Sequence, residues 1–236
     1  TDQMYMISSD NFANFTTDQV GAVETKDFRG FLSASLTALS TAQIANINTK
    51  IINALTSQQV LGITSDITGL TTAQVKALRT DHFTYMSSAQ VDAFTTNQIA
   101  GIETRDLVSI GSYNVALLES VQVAQFTTKQ AAALNTEQVI QLSEDKQFQG
   151  LSTAAIQALS TRQFSLFSSA NLPLLSTTQV AVIETKDIAA INSFGFGLMT
   201  RVQLAAFTTD QVKAVTTRQF SVINSNTISS LSTTQI

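Results

Sequence analysis

A period of eight residues runs through this chain and limits what it can fold into more than any other feature. Cut from Ser8, the sequence reads SSDNFANF, TTDQVGAV, ETKDFRGF, LSASLTAL, STAQIANI, and continues in register as twenty-eight units to Leu231. One unit is a residue short (TSDITGL, 64–70) and one a residue long (SEDKQFQGL, 143–151). The two slips cancel, so FTTDQV at 15–20 recurs intact at 207–212. A period this regular marks a repeat architecture, and it has to be read before any local element is assigned.

The consensus is [S/T]-[S/T]-x-Q-[V/I/F]-x-[A/G]-[L/I/F]. Positions 5 and 8 are apolar throughout, as in Val20, Ile44, Val75, Val180 and Val212 at position 5, and Leu78 and Leu159 at position 8. Position 2 is Ser or Thr in nearly every unit, with Glu144 and Arg201 the exceptions, and half the units carry Gln at position 4. Residues i and i+3 face opposite ways on a strand but share a face on a helix. One unbroken helix also fails. At about 100° per residue, eight residues displace the apolar stripe by about 80° per unit, so no seam forms. The chain therefore has to turn once per unit.

Thr-Thr-x-Gln supplies the start signal. Thr at position 1 suits an N-cap and Gln at position 4 is its capping-box partner; the apolar residues at position 8 and the next position 5 form the hydrophobic staple. In the ETKD and ETRD units Glu stands at position 1, where its charge suits a helix N-terminus. Each octad thus predicts one capped helix of five or six residues followed by a corner. Isolated helices below ~12–15 residues are marginal, so stability has to come from coil stacked on coil. Ala or Gly at position 7 predicts close approach of neighbouring segments, and the Ser/Thr at position 2 predicts hydrogen bonds at corners or between coils. The expected fold is an all-α solenoid, a single continuous body over 1–236, with three octads per coil; two is the alternative. Three corners of about 120° ask less of a short connection than a full reversal in two or three residues.

Composition excludes several function classes. There is no Cys, hence no disulfide framework or thiolate metal site. The net charge is −4 and no Lys/Arg cluster occurs, which argues against nucleic acid. No apolar run is long enough to span a bilayer. His82 is the single histidine and occupies a Gln position (RTDHFTYM), so a surface or capping role is expected for it. The acidic pairs Glu24/Asp27, Glu103/Asp106 and Glu184/Asp187 could be imagined as calcium ligands, but each brackets a Lys or Arg and reads as helix N-terminal charge. Asn14-Phe15-Thr16 is a formal glycosylation sequon, with Phe15 expected in the core. SFGFGLM at 193–199 lacks a phosphate-loop pattern and reads as a degenerate octad. No triad, zinc cluster or Walker motif is present. The sequence thus proposes no catalytic, cofactor-binding or metal residues, no cofactor, and a non-enzymatic chain.

The octad [S/T]TxQ[V/I]xAL, as in TTAQVKAL (71–78) and STTQVAVI (176–183), resembles repeat tracts of very large secreted or surface-exposed bacterial proteins, including adhesin-like ones. The resemblance covers the whole chain. It implies an extracellular or cell-surface structural role and brings no catalytic residue with it; the calcium-binding glycine-aspartate nonapeptides often found in such proteins do not occur here. LTTAQVKAL (70–78) is also similar to the first-helix pattern of TAL-effector DNA-binding repeats, but an eight-residue period leaves no room for their base-reading loop. Both ends fall within an octad, which suggests a segment of something longer, a rod of roughly 75–95 Å at three octads per coil if coils stack at ~8–10 Å. The expected role is a rigid spacer, stalk or filament-forming segment. Its partners would be further repeats of the same kind, a second copy, or a surface glycan or other matrix component, with no nucleic acid and no membrane insertion. The competing reading is a binding solenoid whose long face holds a peptide or glycan. Such a face should carry non-repeating aromatic or charged residues, whereas positions 3 and 6 hold scattered Ala, Asp, Lys, Thr and Ser.

Overall fold

In the computed structural model, residues 7–63, 65–144, 147–167, 169 and 171–236 are described. Among them there are 25 short α-helices and no strand, with three 3₁₀ segments. The fold is the expected all-α solenoid of very short helices, one per octad. Most helices run four to six residues, as in Thr25–Phe28 and Thr72–Ala77. By internal contacts the chain forms two compact units, Thr1–Leu117 and Leu118–Ile236.

Within each unit a helix packs on the helix three octads away. In the first, Ser9–Ala13 meets Ser33–Leu36, Thr49–Ala54 meets Thr72–Ala77, and Thr80–Thr84 meets Thr104–Ser109. In the second, Thr161–Ser165 meets Thr185–Ile188, Thr177–Ala181 meets Arg201–Ala205, and Ser193–Gly197 meets Thr217–Phe220. Three octads therefore make a coil, and the two-octad alternative is set aside.

The corner needs no special residue. Position 8 and the following position 1 are both extended: Leu78 has φ −62°, ψ 146° and Arg79 φ −94°, ψ 161°, while Ile102 and Glu103 repeat the pattern at −66°, 128° and −67°, 148°. Any L-residue adopts these angles without strain, which explains how a chain with one Pro turns at every octad. Positions 5 and 8 point inward. Val75, Ile99, Leu107, Val180 and Leu204 are fully buried and Leu78, Ile102 and Leu175 nearly so. Phe15, half-buried in the first described coil, is less enclosed than expected.

Both slips in the period fall between core positions. In the short unit the helix becomes the 3₁₀ segment Ser65–Gly69, and in the long one the preceding helix extends over Thr136–Glu144 before the 3₁₀ segment Gln147–Gly150. The i,i+3 core pairs survive, with Ile67/Leu70 and Phe148/Leu151 all buried. Thr64, Asp145 and Lys146 of these units, the entering Thr1 and the side chain of Glu144 lie outside the described residues.

Where position 7 is glycine it can touch the coil before it. A Cβ on Gly62 would lie 2.4 Å from the Ser33 carbonyl oxygen, and one on Gly150 would lie 2.3 Å from that of Ser120. In both cases position 7 faces position 2 three octads back.

Candidate functional site: a glutamine ladder between coils

The most repeated polar arrangement in the molecule is built on the position-4 glutamines. Gln74 shows all of it. The Thr71 N–H donates to Gln74 Oε1 (2.7 Å) and the Gln74 N–H donates to Thr71 Oγ1 (3.2 Å), closing the expected capping box. Gln74 Nε2 then donates to the carbonyls of Ile44 (2.8 Å) and Ile47 (2.6 Å) in the preceding coil. These are positions 5 and 8 of the octad four units back. The last carbonyls of any helix lack intrahelical donors, so each glutamine caps its own helix N-terminus and the C-terminal end of a helix one coil away.

The pattern recurs in both units. Gln90 donates to Val60 and Ile63 (2.7 and 2.9 Å), and Gln98 to Ile67 and Leu70 (2.8 and 2.6 Å), across the short octad. In the second unit Gln203 donates to Leu172 and Leu175 (2.9 and 2.7 Å), and Gln219 to Ile188 and Ile191 (2.7 and 2.9 Å). Gln179 serves Gln149 and Leu151 across the long octad. These amides are buried, with Gln90 at 0% exposure, whereas Gln19 in the first described coil is exposed. Sequence reasoning found the cap but not the second function of the amide. The glutamine's preference over glutamate at position 4 was the available signal, since only the amide carries a donor.

His82 substitutes for glutamine, keeping the cap and one of the two inter-coil bonds. Its Nδ1 accepts from the Arg79 N–H (3.1 Å), which leaves the proton on Nε2, and Nε2 donates to the Leu55 carbonyl (2.9 Å). The capping role holds, but the side chain is 1% exposed, so the surface placement is corrected. The reason is the slot itself, which faces the preceding coil. Burial holds the imidazole below its ordinary pKa, against the pull of the Leu55 carbonyl. Beside it the Arg79 guanidinium binds Asp81 (2.8 Å) and the Leu55 carbonyl (3.0 Å), and Asp81 also accepts from Ser57 Oγ (3.1 Å). The Arg79 hydrogen bond is the main cause that lowers the Asp81 pKa to about 2.

The three acidic pairs divide. Glu24 and Glu103 form surface ion pairs with Lys26 (2.7 Å) and Arg105 (3.2 Å), and Glu184 pairs with Lys186. None of these glutamates makes a side-chain cap bond, so their contribution is charge alone. Asp106 and Asp187 are not solvated charges: both are fully buried in the glutamine slot. Thr80 Oγ1 donates to Asp106 Oδ1 (2.6 Å) and Thr161 Oγ1 to Asp187 Oδ1, bonds from position 2 of the octad three units earlier. This confirms inter-coil bonding by position 2 at these sites; Ser88 Oγ to Asn114 (2.8 Å) is another. The second oxygen of each carboxyl, Oδ2, has no hydrogen-bond partner.

Among the described residues no group of three or more His, Cys, Asp or Glu is placed to hold a metal ion. No helix there is long and apolar enough to cross a membrane. Asn14 of the sequon is exposed, its Nδ2 donating to the Asp10 carbonyl (2.9 Å). SFGFGLM holds an ordinary octad helix, Ser193–Gly197, with Gly195 in the glutamine slot.

Two stretches match a known repeat. Residues 20–65 and 180–217 fit the sequence model of the ALTTAQ repeat. Those six letters are positions 7, 8, 1, 2, 3 and 4 of the octad, nearly spelled by Ala38-Leu39-Ser40-Thr41-Ala42-Gln43. The motif thus spans the corner and its capping box, ending on the ladder glutamine. No curated protein matches the chain.

Proposed function

We propose that the chain is a mechanical element, a rigid spacer, stalk or filament-forming segment of a larger extracellular or cell-surface protein, without catalytic function. The observation that carries this reading is the glutamine ladder. Each buried amide ties one coil to the next by two main-chain bonds, and the pattern repeats without a specialised centre. Bonds of this kind hold coils in register under load. The resemblance of the octads to repeat tracts of surface adhesins supports the extracellular placement, and further repeats or a second copy are the partners such a segment would meet.

Single-molecule force spectroscopy on the chain held between handles tests the mechanical role. The expected record shows unfolding in steps of one coil or a few, each coil of about 24 residues releasing roughly 80 Å of contour. Smooth extension at low force would refute it. Antibody labelling of intact source cells tests the location; signal only after permeabilisation would refute the surface placement.

One observation favours the binding reading. Contrary to the sequence expectation, the second unit has an exposed apolar column: Leu174, Leu198 and Val222, 37%, 48% and 43% exposed, stand at position 7 of successive coils. Phe194, 67% exposed, lies on the helix Ser193–Gly197 that Leu198, the middle position, caps at its C-terminus. Saturable peptide or glycan binding abolished by Phe194→Ser with Leu198→Ser would establish that reading.

A further inference from the structure

Asp106 presents a contradiction that the ladder resolves. It fills a slot in which glutamine donates to the carbonyls at positions 5 and 8 four octads back, and for this slot those are Val75 and Leu78. A carboxylate has no donor to offer them. Its Oδ1 is occupied by Thr80 Oγ1, its Oδ2 is buried without a partner, and the residue is 0% exposed. Burying an ionised carboxylate with one oxygen left unpartnered is costly, and such groups neutralise instead.

We propose that Asp106 carries a proton on Oδ2 and donates it across the coil junction to the Val75 and Leu78 carbonyls, replacing the glutamine amide with an acid-dependent bond. The junction is then a proton-sensitive joint among glutamine junctions that carry no titratable group. A bound cation would compete for the same oxygens, but the charge around the site disfavours one. The Arg105 guanidinium lies 3.5 Å from Oδ1, and Asp106 is the single buried carboxylate of its helix. From its own helix Asp106 feels Arg105 and Glu103 at the N-cap, and from the packed helix Thr80–Thr84 it feels His82; that helix and its cap also carry Asp81 and Arg79, which pair with each other. Burial, the leading influence, raises the Asp106 pKa above the ordinary carboxylate value. Asp187 repeats the geometry in the second unit, with Thr161 on one oxygen and none on the other.

The linkage has a definite sign. The unfolded carboxyl titrates near ~3.9, and the folded one higher. The stabilisation from the proton is complete below the unfolded value and is lost as pH rises through the folded value. The test uses the full chain in a His82→Gln, Asp187→Gln background, which removes the neighbouring titration and that of the second acidic junction. Carbon-detected NMR should place the Asp106 carboxyl midpoint above the ordinary range, and a midpoint at or below it overturns the proposal. Asp106→Gln should raise Tm at neutral pH by a few degrees and abolish the loss of stability above the folded midpoint. Asp106→Asn, of equal size, should abolish the same loss. Variants that fold but retain the pH dependence would overturn the proposal. So would calcium or magnesium raising Tm of the parent but not of Asp106→Gln, since that result assigns the oxygens to a metal.

Discussion

Replacing Gln74 by Glu changes one atom of the ladder and reverses its polarity. The Oε1 bond to the Thr71 N–H can persist, but the donor that lies 2.8 Å from the Ile44 carbonyl and 2.6 Å from that of Ile47 becomes an acceptor. The side chain is 2% exposed, so water cannot take over. Two hydrogen bonds are lost, each worth roughly 0.5–1.5 kcal/mol net, and an unpaired charge is buried. Breaking a buried charged pair, the nearest measured analogy, costs roughly 3–5 kcal/mol. At about 2–4 °C per kcal/mol for a chain of this size, Tm should fall by roughly 6–20 °C at pH 7. Acid should restore part of the loss, because protonated Glu regains a donor. Gln19→Glu is the control, since Gln19 is exposed and makes only its capping bonds to Thr16. Thermal melts at pH 7 and pH 4, with hydrogen exchange to locate the weakened coil, decide the matter. Equal shifts for both variants, or no recovery in acid, would refute the claim that the amide donor ties the coils.

Other consequences can be measured alongside. Gly62→Ala forces a methyl to 2.4 Å from the Ser33 carbonyl and should cost about 1–3 kcal/mol in urea denaturation, whereas Gly111→Ser, in open space at an N-cap, should be neutral or stabilising. His82 is neutral in its buried cap, so its contribution is present above the unfolded pKa of ~6.5 and is lost as pH falls through the lower folded value; His82→Gln should remove that acid-side loss from a pH series of melts. Val75→Asp places a charge at a fully buried position and should be severely destabilising, while exposed Lys76→Asp should change Tm little.

The sequence by itself determined everything that depends on neighbours within an octad. The i,i+3 spacing of positions 5 and 8 required a helix, Ser/Thr-x-x-Gln marked where half of the helices start, and the incommensurate period required a turn. Those are interactions over three or four residues, and their partners sit side by side in the text. Tertiary structure decided what depends on separations of 24 residues and more. The coil closes on three octads because the corner is two extended residues rather than a reversal. Gly62 and Gly150 at position 7 have no room for a side chain because a carbonyl of the coil before them stands there. Asp106, Asp187 and His82 look like surface residues when read locally, since a helix N-terminus in isolation is solvated. Only when another coil covers that end do they become buried groups that must each find a partner, and the text of the chain does not show which octad will lie across from them.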